Sequence, residues 1–345
     1  MRTAREVRAH LARRLPAYRI AAAPARVAGG HLNYVWRVAA EPRALIVKWA
    51  PPFAATQPAV ALDPDRILIE AGCLELLGAG GRLAALCTDA LRVPGRIDLD
   101  AERHVLVMED LGALPDLGRL LRAGRVPAGA GGLLGRFIGG LHARTMGDSG
   151  IAKLFDNAAV QRTRLEAQYR AIGPLLAHAG IAAPPAAARR AARLGERLTG
   201  AGRCLIMGDL WPESVLVHGR RLRLIDWELA HFGQPAQDVG HLLAHLWMHL
   251  HQGTATQSAP LARVFLEHYV LALGDNARSL ADERFRTDCA VHMGAEIIAR
   301  CLGPFRQGYL YAALPATSAP VREAVAFAID CIMAGDIPLL AAALG

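Results

Sequence analysis

Two aspartates stand at the ends of two short apolar runs near the middle of the chain. Asp209 follows "CLIM" with one glycine between, and Asp226 follows "LRLI" directly. They lie 226 − 209 = 17 positions apart, the length of a loop plus a β-hairpin, which predicts that both strand ends reach one cleft. Two such carboxylates can divide the work of phosphoryl transfer, one accepting a hydroxyl proton and the other holding Mg²⁺. Taken singly, each is more typical of a turn aspartate at the end of a strand than of a catalytic residue.

Three earlier features supply the other parts of a phosphate-handling site. Gly29 and Gly30 lie in a predicted hairpin, where glycines would let backbone N–H groups approach phosphates; a plain hairpin turn is the alternative. Lys48 interrupts the apolar strand "RALIVKWA" and would bring a fixed positive charge to the phosphates. Glu70, in the helical segment "RILIEAG", is the carboxylate that would hold this lysine. The order of these parts along the chain is that of a protein-kinase-like fold.

The elements that must position these residues divide the chain into two lobes. Residues 1–110 predict a surface helix, a glycine hairpin, the lysine strand, a helix from Asp65 or Pro64 to Gly78, and two strands ending in "HVLVMED". The segment "PPFAATQPAVALDP" between lysine strand and helix is predicted to be a loop. Residues 111–115 form a hinge, and residues 116–345 form a mostly helical lobe, with helices over 116–123, 129–147, 159–180, 185–200 and from 236 onward. The fold class is therefore α+β and bilobal, with an antiparallel sheet in the first lobe.

The chain resembles the aminoglycoside and choline phosphotransferases, and most of all their methylthioribose kinase and fungal hydroxytryptamine kinase branch. Eight motifs in order carry the resemblance over about residues 25–305: "GGHLNYVWRV", "LIVKWAPPF", "RILIEA", "VLVMEDLG", "GGLHART", "MGDLWPESVLV", "LIDWELAHFGQPAQDVG" and "AEIIARCLG". The resemblance implies a small-molecule kinase that uses ATP and Mg²⁺ to phosphorylate an alcohol. It also implies a homodimer.

The resemblance assigns roles position by position. Asp209 matches the catalytic aspartate, and Asp226 matches the aspartate that binds Mg²⁺. Lys48 with Glu70 matches the phosphate-binding pair, and Asp238 matches an aspartate that braces the catalytic loop. The remaining implied sites are Gly29, Gly30 and Asn33 of the glycine hairpin, the backbone of Glu109 and Leu111 for adenine, Ser214 and Glu228 for a second metal contact, and Trp211 and Arg300 for the substrate.

Two departures from the family pattern bear on the substrate. Met207 stands where most of these phosphotransferases have a histidine before the catalytic Gly-Asp pair, and the fungal hydroxytryptamine kinases share this methionine. Ala299 precedes Arg300 where methylthioribose kinases have two adjacent arginines, which argues against methylthioribose itself. The segment 281–310 mixes acids and arginines, so a polycationic aminoglycoside is disfavoured against a sugar-like or aromatic alcohol. A silent nucleotide-binding protein stays open as an alternative because of Met207 and Ser214.

Composition and charge exclude several other classes. The net charge is +8, but the arginines are scattered along helical segments without aromatic interleaving, so no nucleic-acid partner is predicted. No apolar stretch approaches the roughly 20 residues of a membrane helix, and six isolated cysteines are typical of reduced thiols in a cytoplasmic protein. Only 238 − 226 = 12 positions separate Asp226 from Asp238, too few for the activation segment of a protein kinase. His241, His245 and His249 share a helix face, but no nearby acid in the sequence completes a metal motif.

Overall fold

The computed structural model describes residues 1–27, 32–306 and 308–339. The first lobe is built on a five-stranded sheet in which neighbouring strands run antiparallel, in the order β2-β3-β5-β10-β9. The strands of the chain are β1 Arg19–Ile20, β2 Ala25–Arg26, β3 Tyr34–Val38, β4 Ala40–Glu41, β5 Leu45–Trp49, β6 Phe53–Ala54, β7 Gln57–Ala61, β8 Leu91–Arg92, β9 Arg96–Asp100, β10 Val105–Glu109, β11 Cys204–Ile206, β12 Val215–His218, β13 Arg221–Leu224 and β14 His231–Gly233. The predicted antiparallel sheet is thus present.

A helix covers each face of this sheet. On one face, α1 (Ala4–Arg14) buries Val7 and Leu11 against the valines and leucine of the central strands, as their four-residue spacing predicts. Its first turn carries a capping box in which Thr3 and Glu6 satisfy each other's backbone N–H groups. The other face packs against α2 (Arg66–Leu77). Because side chains alternate along a strand, Lys48 points to the α2 face while its neighbour Val47 belongs to the α1 side.

The segment predicted to be a loop between β5 and α2 contains a hairpin instead. β6 and β7 pair antiparallel, with Phe53 opposite Ala61. Every residue of β7 is exposed, so the strand shows no alternation of polar and apolar residues, and Pro58 lies inside it. An exposed edge strand of this kind gives no periodic signal, which explains why the sequence prediction was wrong here.

The second lobe is mostly helical. Its helices are α3 Leu117–Arg122, α4 Ala130–Thr145, α5 Ser149–Leu154, α6 Ala158–Arg164, α7 Ile172–His178, α8 Pro185–Leu198, α9 Pro235–His251, α10 Ser258–Leu273, α11 Ala277–Leu280, α12 Glu283–Leu302 and α13 Ala319–Ala334. The single helix predicted over 159–180 is divided, because the π-helical segment Leu165–Arg170 separates α6 from α7. Its wider turns rotate the side chains that follow α6 toward α12. No described helix is both long and apolar enough to cross a bilayer.

The two aspartate-bearing segments meet as their spacing predicts. β12 and β13 form the expected hairpin between Asp209 and Asp226, and β11 pairs with β14 beside it. β8 adds to this hairpin as a third, parallel strand, with Leu91 opposite Leu222. Residues 91–92, predicted within the first lobe, therefore pair with a sheet of the second. The division into residues 1–110 and 116–345 about a hinge stays a prediction.

Candidate active site

The loop that carries Asp209 is held in place from α9. Asp238 accepts hydrogen bonds from the backbone N–H groups of Met207, at 2.8 Å, and Gly208, at 2.7 Å. His142 lies 3.2 Å from the same carboxylate, and all of these groups are buried. Gly208 has φ of 79°, and a Cβ there would lie 2.2 Å from the carbonyl oxygen of Leu229. Only glycine fits this turn, and the bracing expected of Asp238 is present.

Asp209 itself is surrounded by positive charge and a histidine. Arg164, from α6, places Nη2 3.0 Å from Asp209 Oδ1 and also contacts the carbonyl of Gly208. His241 Nε2 lies 3.3 Å from the same oxygen. Burial raises the pKa of Asp209, but the His241 contact and the charges of Arg164 and Arg300 outweigh it and lower that pKa to about 2. The carboxylate is therefore ionised and able to accept a proton throughout the physiological range.

Lys48 is the centre of the second charged group. Its ammonium lies 2.6 Å from Glu70, 3.0 Å from Asp226 and 3.4 Å from Glu228. Burial lowers the pKa of Lys48, but the three carboxylates outweigh it and raise the pKa well above its usual value. The lysine is a permanent cation, and the predicted pairing with Glu70 is present.

A buried arginine that the sequence reading overlooked completes this network. Arg66 Nε donates to Glu228 Oε2 at 2.9 Å, and Arg66 Nη2 donates to the side-chain oxygen of Asn33 at 3.0 Å. Asn33 in turn donates to Glu228 Oε1 at 2.7 Å. Arginine at the start of a helix is usually an exposed residue, so no sequence signal distinguished Arg66. Asn33 is therefore linked to Lys48 indirectly, through Glu228, which contacts both side chains.

The chemistry of the donors separates the three predicted metal ligands. The Asp226 side chain is 48% exposed and its backbone is left-handed, with φ of 63°, which turns the carboxylate into the cleft. Oxygen donors of this kind suit Mg²⁺. Both oxygens of Glu228 are engaged by Arg66, Asn33 and Lys48. Ser214 is buried, and its hydroxyl donates to the carbonyl of Trp211 at 2.8 Å. Metal ligation by Asp226, Ser214 and Glu228 stays a prediction, and Asp226, which also accepts from Lys48 at 3.0 Å, is the most exposed of the three.

The predicted adenine contacts lie away from the charged groups. Glu109 ends β10, donates its backbone N–H to the carbonyl of Gly95 at 2.8 Å, and is held by Arg92 through both carboxylate oxygens. Leu111 follows it, partly exposed. Adenine binding by this backbone remains a prediction. Gly29 and Gly30 lie outside the described residues.

One cavity of about 290 Å³ joins the two charged groups to an apolar chamber. Lys48, Asp209 and Asp226 all line it. The rest of the lining is mostly apolar and includes Ala54 and Val60 of the β6–β7 hairpin, Leu62 just after it, Val160 of α6, Ala167 of the π-helical segment and Ala299 of α12. The described part of the lining contains neither Glu109 nor Leu111. The cavity therefore covers the phosphate and acceptor sides of the site.

The predicted substrate residues, Trp211 and Arg300, contact each other in the lining of this cavity. The guanidinium of Arg300 lies 4.7 Å from the ring centre of Trp211 and donates to Glu296 Oε1 at 2.6 Å. Trp211 also packs against His245, with ring centres 5.4 Å apart. Trp227, by contrast, is fully buried in the core and packs edge-on against Phe137. Of the two tryptophans that follow the aspartates, Trp211 alone reaches the cavity among the residues described.

Glu296 brings an acid to the histidine face of α9, which the sequence pattern did not reveal because it comes from α12. Ligand atoms of His241, His245 and Glu296 lie within 4.8 Å of one another. These groups already bond within the protein: Glu296 accepts from Gln168 at 2.7 Å, and His245 lies 3.1 Å from Glu296. Burial lowers the pKa of His245 to about 3, so this ring is neutral. The cluster is a hydrogen-bonded network beside Asp209.

Comparison with known proteins agrees with this geometry. The model of the phosphotransferase enzyme family matches residues 24–272. A 4-hydroxytryptamine kinase from Psilocybe cyanescens is 27% identical over 244 residues, covering 65% of this chain and 67% of that protein. The corresponding kinase from Psilocybe cubensis is 24% identical over 246 residues, with the same coverage.

Solved structures show the same fold at low sequence identity. A choline/ethanolamine kinase family protein from Mesorhizobium loti is 15% identical, with a TM-score of 0.55 over 99% of this chain and 97% of that one. A spectinomycin phosphotransferase crystallised with ADP and spectinomycin is 13% identical, with a TM-score of 0.53 over 96% of this chain and 98% of that one. The protein-kinase-like bilobal fold is therefore confirmed. The chain belongs to the phosphotransferase enzyme family and is an enzyme that phosphorylates a small-molecule alcohol.

Proposed function

We propose that this enzyme transfers the terminal phosphoryl group of ATP, bound with Mg²⁺, to the hydroxyl of a small aromatic metabolite. The observation that carries the proposal is one cavity lined by the Lys48–Asp226 group and by Asp209, with walls that are otherwise mostly apolar. Phosphoryl transfer needs a base or orienting carboxylate for the acceptor and positive charge for the phosphates. The cavity has both.

Each residue of the chain has one task in this proposal. Asp209 orients the acceptor hydroxyl and takes its proton, since the carboxylate is ionised near neutral pH. Lys48 contributes a fixed cation to the phosphates, and Glu70 keeps it in position. Asp226 would hold Mg²⁺, with Ser214 or Glu228 as the further ligand. A bound Mg²⁺ would neutralise charge that develops on the transferred group.

The walls of the chamber favour a flat and largely apolar acceptor. Aliphatic side chains of the β6–β7 hairpin and α6 line the same cavity as the Trp211 ring. The carboxylates on the acceptor side, Asp209 and Glu296, are each matched by an arginine, Arg164 and Arg300. A polycationic aminoglycoside would find little unbalanced negative charge here. The curated relatives are named for a hydroxylated aromatic amine, 4-hydroxytryptamine, and a hydroxyindole or a related phenol fits these walls.

The test is phosphate transfer from labelled ATP to a panel of acceptors. The panel holds 4-hydroxytryptamine, a hydroxyindole without the amine, a simple phenol, a free sugar and an aminoglycoside. We expect the hydroxyindoles to be phosphorylated with the highest kcat/KM. Asp209→Asn should lower kcat by about 10²–10⁴-fold, whereas Asp275→Asn, on the surface, should not change it. Preference for the aminoglycoside would overturn the acceptor class, and an Asp209→Asn variant as active as the wild type would overturn the role of Asp209.

We also propose that the protein is cytoplasmic and forms a homodimer. All six cysteines are free thiols and most are buried, which suits the reducing cytoplasm. Light scattering of the purified protein would test the homodimer that the family resemblance implies.

A further inference from the structure

We infer that His241 is a positioning residue for Asp209 and that it is held in a single tautomer by a chain of hydrogen bonds through His292 to Tyr169. This inference rests on the proposed function, because it assigns a partner to the same base. It accounts for Met207, since a thioether in the place of the loop histidine has no hydrogen to donate.

Three contacts connect the four side chains in sequence. Tyr169 Oη lies 2.6 Å from His292 Nδ1. His292 Nε2 lies 3.2 Å from His241 Nδ1, and His241 Nε2 lies 3.3 Å from Asp209 Oδ1. The last contact is a close approach without the alignment of a hydrogen bond, since the buried His241 Nε2 has no hydrogen-bond partner among the described residues. Catalytic hydrogen bonds are often poorly aligned before substrate binds and tighten afterwards.

With both imidazole rings neutral, one arrangement of hydrogens satisfies all three contacts. An ionised carboxylate only accepts, so His241 must carry its hydrogen on Nε2, which leaves Nδ1 as an acceptor. His292 must then donate from Nε2, and its Nδ1 accepts from the Tyr169 hydroxyl. The direction of donation is therefore fixed from the tyrosine to the aspartate.

The surroundings keep Tyr169 and His292 uncharged. His241, His292 and Tyr169 are all almost completely buried. Burial, with His241 and Arg164 nearby, lowers the pKa of His292 well below its usual value. Burial raises the pKa of Tyr169 above its usual value, so its hydroxyl keeps its hydrogen. A neutral imidazole has one donor and one acceptor, which is what each position in the chain requires.

The backbone brings the hydrogen-bonded side chains of Tyr169, His292 and His241 together. Tyr169 stands in the π-helical segment Leu165–Arg170, whose wide turns are frequent at functional sites. Gly240 precedes His241, and a Cβ there would lie 2.7 Å from the carbonyl oxygen of Cys289 on α12. Glycine thus permits the close approach of α9 to α12 that puts His241 beside His292.

These contacts also give the two oxygens of Asp209 different roles. Arg164 and His241 both contact Oδ1, from opposite elements. We assign Oδ2 to the acceptor hydroxyl. Arg164 and His241 both keep the carboxylate ionised, and together they hold Oδ1.

The experiment compares kcat and KM of variants along the chain. Tyr169 does not line the cavity, so Tyr169→Phe removes one hydroxyl without touching substrate; we expect kcat to fall about three- to tenfold with KM for ATP and acceptor within twofold of wild type. Tyr311→Phe is the matched control, because Tyr311 is buried and its hydroxyl contacts a histidine, His251, that does not belong to this hydrogen-bonded series. It should leave kcat unchanged. His241→Leu should lower kcat tenfold or more, and His241→Gln, which keeps a donor near Nε2, should restore part of the loss.

A second measurement does not depend on turnover. Nitrogen-15 NMR of labelled histidines should show His241 and His292 as neutral Nε2–H tautomers in the wild type, with the His292 signal altered in Tyr169→Phe and unaltered in Tyr311→Phe. An Nδ1–H tautomer at His241, or a Tyr169→Phe kcat equal to that of Tyr311→Phe, would overturn the inference. If the wild type phosphorylates no alcohol, the proposed function fails while the NMR result still decides the chain.

Discussion

The Lys48 ammonium is shared by three carboxylates, so the stability of this charged group depends mainly on one residue. Lys48→Met would leave Glu70, Glu228 and Asp226 close together without their central cation. Breaking a buried ion pair by removing one partner costs about 3–5 kcal/mol, so we expect a fall of that size in the free energy of unfolding measured with urea. Lys153, the other lysine of the chain, is exposed, and Lys153→Met is the control that should stay within about 0.5 kcal/mol.

Glu70→Gln should be the milder change, because Asp226 and Glu228 still face the lysine. Equal destabilisation by the Lys48 and Glu70 variants would contradict this reading of the network.

Residues whose roles follow from neighbours in the chain could be predicted. The Lys48–Glu70 pairing is expected from a strand lysine and a helix glutamate, and the family resemblance implies the bracing by Asp238; both contacts are present. Arg164 and Arg66 could not be predicted, because each reaches the site from a helix face that looks ordinary in sequence. His241 was noticed for its spacing, but its partner Asp209 lies in a different element, and spacing carries no information about such contacts.

The β6–β7 hairpin contributes a wall of the acceptor chamber although it has almost no buried surface of its own. Val60 is 39% exposed and lines the cavity, so Val60→Ser should raise the acceptor KM severalfold while leaving the free energy of unfolding nearly unchanged. Leu271, 74% exposed on α10, is the matched apolar control, and Leu271→Ser should alter neither quantity. Steady-state kinetics and urea unfolding measure both. An unchanged acceptor KM in Val60→Ser would show that this hairpin does not contact the acceptor.

At the level of elements, prediction succeeded where periodicity is strong. α2 begins after Asp65 and ends before Gly78, as its apolar spacing and terminal glycine predict. The sequence reading failed at 159–180, where a π-helical segment interrupts the helix, and at 51–64, where an exposed hairpin stands in place of the predicted loop. The π-helical segment contacts distant residues of α12, whereas the exposed hairpin lacks the alternation that would reveal a strand.

The whole molecule should be sensitive to acid because several histidines are buried as neutral rings. Burial lowers the pKa of His231 and His249 to about 4 and of His245 to about 3. Between those values and a pH of about 6.5, the unfolded protein binds protons at these histidines and the folded protein does not. The contribution of these histidines to the free energy of unfolding is therefore full above pH 6.5 and falls as the pH decreases through this window. Each such group contributes a slope of up to about 1.4 kcal/mol per pH unit.

Urea unfolding at pH 7.5, 6 and 5 measures this slope. His249→Gln should make it shallower, and His178→Gln, at an exposed position, should leave it as it is. A free energy of unfolding that does not change between pH 7.5 and 5 would refute the expectation.

The parallel pairing of β8 with β13 has a consequence for modularity. The chain leaves the first lobe after α2, adds a strand to the sheet beside the catalytic loops, and returns to form β9 and β10. One continuous apolar core runs from α2, through Ile67 and Leu74, to the helices of the second lobe. The lobes are interleaved rather than joined end to end. A chimera joined at residue 110 would take β8 from one parent and the β12–β13 hairpin that it pairs with from the other. Recombination between relatives therefore has to exchange Leu91–Arg92 together with that hairpin.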